Sequence, residues 1–391
     1  MRRVAVLGGG PAGAFAAERL ASAGLEITVL DEKLAWEKPC GGGLTFKAYN
    51  RYPFLLENDT PKRVVTETLL AAPDAGAARL RLRQPLVVYS RLDLNRMLLE
   101  RAARAGARIE KARVAEVSRS GGAWRLRTSA GDLEADFCIL ATGARNPLRN
   151  LGTRLTARDA MIALGYYVHA DQQHIDIHFL PRLEGYIWVF PRCGHLSVGI
   201  CGKGVPAHEL RARLERFMEQ RGLSWEAAQF YSHLLPSLNA ASWPGNRVSG
   251  PGWMAVGDAA GLTDPITGEG IYYALRSADL AAATLLSPAS AEPHRAYHSA
   301  IVRDFAADLA HAAVLARRIF LGRFLFGGVT QRMVQFTRRS PRFYDVMQDL
   351  FAGTQSYLGL KSRLFRNLHG TLLDTFFSFM LGREAAGENQ I

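Results

Sequence analysis

Three groups of residues in this chain have the types and spacing to do chemistry. Gly8, Gly10 and Gly13 stand as G-x-G-x-x-G directly after the apolar run Arg3–Leu7, and directly before a helical pattern that carries Ala17 and Leu20 and ends at Gly24. In that setting Gly8 permits a tight turn, Gly10 lets a pyrophosphate approach the backbone, and Gly13 lets helix and strand pack closely. Ala12 lies in the first turn of the helix, whose N-terminus aims N–H groups at the phosphate. A second apolar run, Glu26–Leu30, ends in Asp31-Glu32, where a carboxylate would take ribose hydroxyls. Asp31 fits the spacing, and Glu32 reads as its solvated neighbour. A dinucleotide is therefore expected here. The third group is Cys40 followed by Gly41, Gly42 and Gly43, in which the thiol is either an acid or a small polarizable packing group.

Several further elements must position these groups. Asp136–Ala144 reads as a buried strand running into Thr142 and Gly143, and Trp253–Ala260 as another ending in Gly-Asp at Asp258. Gly268 and Gly270 precede a helix beginning near Ile271, whose positive end favours negative charge. Ser90-Arg91-Leu92-Asp93 opens another helix with capping-box spacing. Gly185–Pro191 alternates as a strand that puts Tyr186, Trp188 and Phe190 on one face. Leu196–Ile200 is its hairpin partner across a turn with a surface histidine, His195. Strands near 161–168 and 174–180 would extend that sheet.

At 391 residues, with 48% hydrophobic and 21% charged composition, the chain can bury one large core or two medium ones, which excludes general disorder. Its four cysteines show no C-x-x-C spacing, and the N-terminus runs straight into a strand without an apolar leader. These features predict a reducing, cytoplasmic setting without structural zinc. A net charge of +12 favours an anionic partner, and no zinc-finger or RNA-stacking signature argues for nucleic acid. No apolar run reaches the roughly 20 residues of a bilayer span. Between Leu309 and Tyr344 there are seven arginines and no Asp or Glu, among Ile319, Phe320, Leu321, Phe324, Leu325 and Phe326. Such a segment can lie among lipid headgroups, close over a tunnel, or pack as helices with a basic face. Leu372–Leu381 is a second apolar patch, and the polar tail after Arg383 is expected to fray.

Taken together, the glycine fingerprint, Ala-Thr-Gly and Gly-Asp segments resemble the FAD-dependent oxidoreductases of the para-hydroxybenzoate hydroxylase type. Within that group the chain is similar to the geranylgeranyl reductases. Four stretches carry the likeness: KPCGGG (38–43), GYIWVFPRCGHLSVGI (185–200), GDAAGLTDPITGEGIYYALRSA (257–278) and GTQSYLGLKSRLF (353–365). Two departures stand out, because members often have lysine where this chain has Arg192, and the chlorophyll-type enzymes follow Cys-Gly-Gly with Ala-Ile-Pro where it has Gly43-Leu44-Thr45. The latter counts against the chlorophyll branch.

The resemblance implies an α/β fold: a Rossmann-type FAD-binding domain of the glutathione-reductase or hydroxylase kind, an inserted antiparallel-sheet substrate domain and a helical C-terminal region. The expected boundaries are 1–59, 86–158 and 247–290 for the first, 60–85 and 159–246 for the second, and 291–391 for the third. By resemblance the FAD contacts are Gly8, Gly10, Ala12, Gly13, Asp31, Glu32, Cys40, Gly41, Gly42, Gly43, Arg91, Val114, Thr142, Gly143, Asp258, Gly268, Gly270 and Ile271. Tyr186, Trp188 and Phe190 would line a substrate tunnel, and Cys40 would border it. The implied reaction is hydride transfer from reduced FAD to a double bond of a prenyl lipid or prenyl diphosphate, with a proton to the other carbon. NADPH would be a transient donor, or a ferredoxin or quinol would serve, and the protein would be cytoplasmic or peripheral to the inner membrane face. Two rival readings share the fold: a flavin monooxygenase or halogenase, and a prenyl-lipid carrier similar to the GDP-dissociation inhibitors.

Overall fold

A computed structural model describes residues 3–148, 151–289 and 291–381. The polar tail after Arg383 lies outside the described residues. The chain forms two units, each discontinuous in sequence: Met1–Lys38, Arg91–Ala160 and Leu234–Ala310 make the first, and Pro39–Ser90, Met161–His233 and His311–Ile391 the second.

The first unit is built on a six-stranded sheet in the order Ser249–Gly250, Trp253–Ala255, Phe137–Leu140, Arg3–Leu7, Glu26–Asp31, Arg108–Lys111. Every neighbouring pair is parallel except the first. The central strands are nearly uninterrupted apolar runs, and Val4–Leu7, Phe137–Leu140 and Trp253–Ala255 are buried throughout. That is the pattern of a parallel sheet covered on both faces. The helix Pro11–Ala21 buries Phe15 and Leu20 together with Ala12, Ala14, Ala16 and Ala17, and the alanines let it lie close to its neighbours. Register fixes the functional edge. Leu7 pairs with Leu30 and Leu140, and Leu140 with Ala255, so the carboxyl ends of four strands open onto one edge. A three-stranded sheet, Val114–Ser120, Ala123–Thr128 and Gly131–Ala135, completes the strands of this unit.

The second unit holds an eight-stranded sheet in the order Gln229–Pro236, Ala160–Val168, Leu196–Lys203, Glu184–Pro191, Ile175–Phe179, Lys62–Ala72, Gly76–Tyr89, Gly43–Leu44. The strands expected near 161–168, 174–180, 185–191 and 196–200 are all in it. Alternation divides its side chains between two cores. Ile187, Val189, Val198 and Ile200 pack with Leu210, Leu214 and Met218 of the helix Ala207–Gln220. Leu70, Leu80 and Val88 pack with Phe320, Val334 and Met347, and Tyr186 and Phe190 lie against that second core. Much of the basic C-terminal region is thereby resolved as covering helices, Val329–Arg339 and Pro341–Ala352. Buried Gln348 fastens them, accepting from the Arg83 N–H at 3.0 Å and donating to the Arg81 carbonyl at 2.7 Å. Among the described residues no helix is long and apolar enough to cross a membrane.

Candidate functional site

The carboxyl edge of the parallel sheet gathers most of the residues expected to hold a dinucleotide. Gly8 and Gly13 are required by contact: a Cβ on Gly8 would sit 2.3 Å from the Ala141 carbonyl oxygen, and one on Gly13 would sit 1.9 Å from the Gly8 carbonyl oxygen. Neither position tolerates a side chain. Gly10, the N-cap of the following helix, instead faces open space, with nothing within 4 Å of an added Cβ and no side chain capping the helix. That opening at a helix N-terminus is the cradle a pyrophosphate requires.

Asp31 ends its strand as expected and accepts three backbone N–H groups, from Gly9, Lys33 and Leu34, each at 2.7 Å. The carboxylate thus ties the second strand to the glycine turn. Glu32 is exposed, in keeping with a solvated neighbour. Thr142 bonds Asn146 at 3.1 Å, and Gly143 borders open space. Val114 begins the first strand of the small sheet.

Asp258 stands just past the strand Trp253–Ala255, in the short helix Gly257–Ala260. Its Oδ2 accepts from Lys38 Nζ at 2.9 Å and its Oδ1 from the Thr263 hydroxyl at 3.2 Å. Gly270 lies alongside, since a Cβ there would be 3.4 Å from Asp258 Oδ1. It caps the 16-residue helix Ile271–Leu286, again without a side-chain cap. Gly268 closes the preceding loop by donating to the Asp264 carbonyl at 2.9 Å.

Arg91 opens the helix Arg91–Arg104 and is only 4% exposed. Its Nε is buried with no hydrogen-bond partner, although a guanidinium N–H removed from water ordinarily has one. An orphaned donor in a nucleotide-binding unit fits an anionic or carbonyl group of a cofactor. Glu37 receives the Arg91 and Leu92 N–H groups at 2.9 and 3.3 Å, stabilising the helix start with a carboxylate. The sequence reading missed Glu37 and Lys38. Both precede KPCGGG's cysteine, and acid-then-base before a glycine loop was the available signal.

Cys40 and its three glycines belong to the second unit. Arg192, fully buried, donates to the Cys40 and Gly41 carbonyls, the latter at 3.3 Å, with its guanidinium over the Tyr167 ring at 5.2 Å. The Ser197 hydroxyl also reaches the Cys40 carbonyl, at 3.0 Å, and lies 2.9 Å from the Tyr231 hydroxyl. Burial holds the Tyr231 phenol above its ordinary range, so it stays protonated. The Gly42 N–H donates to Cys40 Sγ at 3.3 Å. These bonds immobilise a loop that glycine would otherwise leave loose.

The glycines here also serve the protein itself. Gly42 has φ +87°, and a Cβ would meet the Tyr89 carbonyl oxygen at 2.1 Å; a Cβ on Gly41 or Gly43 would meet the Phe190 ring at 3.2 or 2.6 Å. Phe190 therefore lies directly on the loop. Of the three expected aromatics, Tyr186 stacks on Phe320 with centroids 6.5 Å apart and Trp188 is buried against Gly199, where an added Cβ would be 2.3 Å away. His195 is half-buried, edge-on to Tyr167 at 5.3 Å, rather than a surface residue. Cys138 and Cys201 are buried thiols pushed up to about 12 by burial, hence inert; Cys40 is only half-buried.

Residues 56–284 match the family model described as FAD dependent oxidoreductase. Digeranylgeranylglycerophospholipid reductase 2 of Methanothermobacter thermautotrophicus is 30% identical over 71% of this chain and 76% of its own. A solved geranylgeranyl bacteriochlorophyll reductase-like protein of Thermoplasma acidophilum superposes with a TM-score of 0.75 at 24% identity, covering 94% of this chain and 99% of that one. A triple mutant of the flavin-dependent brominase Bmp2 superposes at 0.67 with 17% identity, over 94% and 98%. At these identities the two structures speak for the fold alone. With the family model spanning more than half the chain, an uncapped glycine cradle and the Asp258 strand end in place, the chain belongs to the FAD-dependent oxidoreductases, and within them to the geranylgeranyl reductase family.

Proposed function

We propose that the protein saturates carbon-carbon double bonds of a prenyl chain carried by a lipid or a diphosphate. The observation that carries this reading is the buried clamp of Arg192 and Ser197 that fixes the Cys40 loop against Phe190 of an aromatic strand. It gives one half-buried thiol a fixed loop, whose neighbouring glycines lie against the Phe190 ring. Similarity to a digeranylgeranylglycerophospholipid reductase supports the substrate class.

Reduced FAD, when bound, supplies a hydride to one alkene carbon, and the other carbon needs a proton. Gly8, Gly10, Gly13, Asp31, Arg91 and Asp258 would hold the cofactor, and Tyr186, Trp188 and Phe190 would line the path of the chain. We assign the proton to Cys40, whose Sγ accepts the Gly42 N–H, a bond that would stabilise the sulfur once its proton has been given up. Electrons would come from outside, through NADPH, a ferredoxin or a quinol.

The deciding experiment is anaerobic. Flavin reduced by dithionite and mixed with a geranylgeranyl lipid should return to its oxidised spectrum, with two hydrogens gained for each double bond reduced. Reoxidation only on admitting oxygen, with an oxygenated or halogenated product, would transfer the protein to the monooxygenase and halogenase reading that the brominase likeness keeps open. In the same assay Cys40→Ala should retain its flavin yet reduce the alkene about a hundredfold more slowly, the usual scale of general acid catalysis. An unchanged single-turnover rate would leave the thiol only a packing role.

A further inference from the structure

Between the helices Ala307–Leu321 and Val329–Arg339 the chain makes a small hairpin that pairs Arg323 with Gly328 and Phe324 with Gly327. Its two-residue turn is Leu325-Phe326, and both have positive φ, 48° and 62°. Successive left-handed residues suit Asn-Gly or Asp-Gly; bulky apolar side chains resist that backbone. Packing gives Phe326 nothing in return, because it is 98% exposed, and Leu321, Phe324 and Leu325 around it are exposed as well.

The base of the hairpin is nevertheless fastened. Phe324 meets Phe336 edge-on at 6.4 Å, and Arg332 donates to the carbonyls of Phe324, at 3.4 Å, and Leu325. A held base with an apolar, strained tip is a reason to look for what the tip enters. Charge narrows the choice: Arg317, Arg318 and Arg323 are exposed beside it, within a segment that has seven arginines and no acid from Leu309 to Tyr344. A second copy of the chain would bring the same arginines to a like-charged contact, and two side chains are far short of the roughly 800 Å² that each partner buries in a stable interface.

The geometry points to an anionic bilayer surface as the occupant: Leu325 and Phe326 enter the headgroup boundary while the neighbouring arginines bind lipid phosphates. The hairpin is a membrane-docking finger. Its purpose rests on the reading of the substrate as a prenyl lipid, but its test does not depend on turnover.

Flotation of the full-length flavoprotein would be measured with vesicles of phosphatidylcholine plus phosphatidylglycerol and with phosphatidylcholine alone. The wild type should partition onto the anionic vesicles and release at high salt. The double variant Leu325→Asn with Phe326→Gly, which gives the turn its preferred residues, should keep flavin and thermal stability while partitioning at least about tenfold less. No anionic-vesicle binding by the wild type, equal binding by the double variant, or a change of oligomeric state in that variant would each overturn the proposal. Reduction of a detergent-dissolved geranylgeranyl lipid is scored separately. If it fails while the vesicle difference stands, the prenyl-reductase reading falls and the finger remains.

Discussion

Asp258→Ala is expected to purify with little or no flavin. The carboxylate accepts from Lys38 at 2.9 Å and Thr263 at 3.2 Å, and stands beside the uncapped start of the helix Ile271–Leu286. Hydrogen bonds to a charged group contribute about 1.5–3 kcal/mol, so FAD should bind about tenfold to a hundredfold more weakly, with reconstitution demanding correspondingly more cofactor. Alanine also strips a carboxylate from Lys38, which is itself largely shielded from water. Asp258→Asn keeps an acceptor for Thr263 and should lose less. Titration of apoprotein with FAD, followed by flavin fluorescence, reads both variants, and full stoichiometric occupancy in Asp258→Ala would remove this residue from the cofactor site.

Arg192→Met should leave FAD in place and release the Cys40 loop. The wild-type guanidinium donates to two adjacent carbonyls from a fully buried position, and methionine can donate to neither. Loss of charge-assisted bonds in such a site is expected to cost about 3–5 kcal/mol of stability in the second unit. Freed of its clamp, Cys40 should react with iodoacetamide at least about tenfold faster, since alkylation then samples a more open loop. Arg192→Lys retains the charge but only a point donor, so it should fall between wild type and methionine. On the proposed function, alkene reduction should decline in the same order. An alkylation rate that Arg192→Met leaves unchanged would show that the loop holds itself.

What could be read in advance followed from how locally each feature is encoded. Gly8, Gly10, Gly13 and Asp31 fall within one strand-turn-helix-strand passage, where spacing alone carries geometry, and Asp258 marks a strand end. Tyr186, Trp188 and Phe190 were visible as a period-two stripe, because side chains alternate along a strand. Arg192 was noted only as a departure from the family's usual lysine. Its carbonyl partners lie 151 and 152 positions away, and a bond between a side chain and a distant backbone oxygen leaves no pattern in sequence. Ser197, Tyr231 and the Lys38–Asp258 pair were hidden for the same reason, being tertiary encounters 157, 34 and 220 positions apart. The turn at Leu325-Phe326 was masked differently. Gly327-Gly328 follows it directly, and glycine pairs advertise the turn one step too late.

The fit between Phe190 and the glycines on either side of Gly42 constrains how this protein can diversify. Alanine at Gly43 alone would press its methyl to 2.6 Å from the ring, and alanine at Gly41 to 3.2 Å. A smaller residue at Phe190 would relieve both but leave a void that neither glycine can fill. Directed evolution should therefore find these positions epistatic, most of all Gly43 with Phe190: the methyl alone is purged there, whereas a paired exchange, methyl gained on the loop and ring lost from the strand, opens a route to a differently shaped surface.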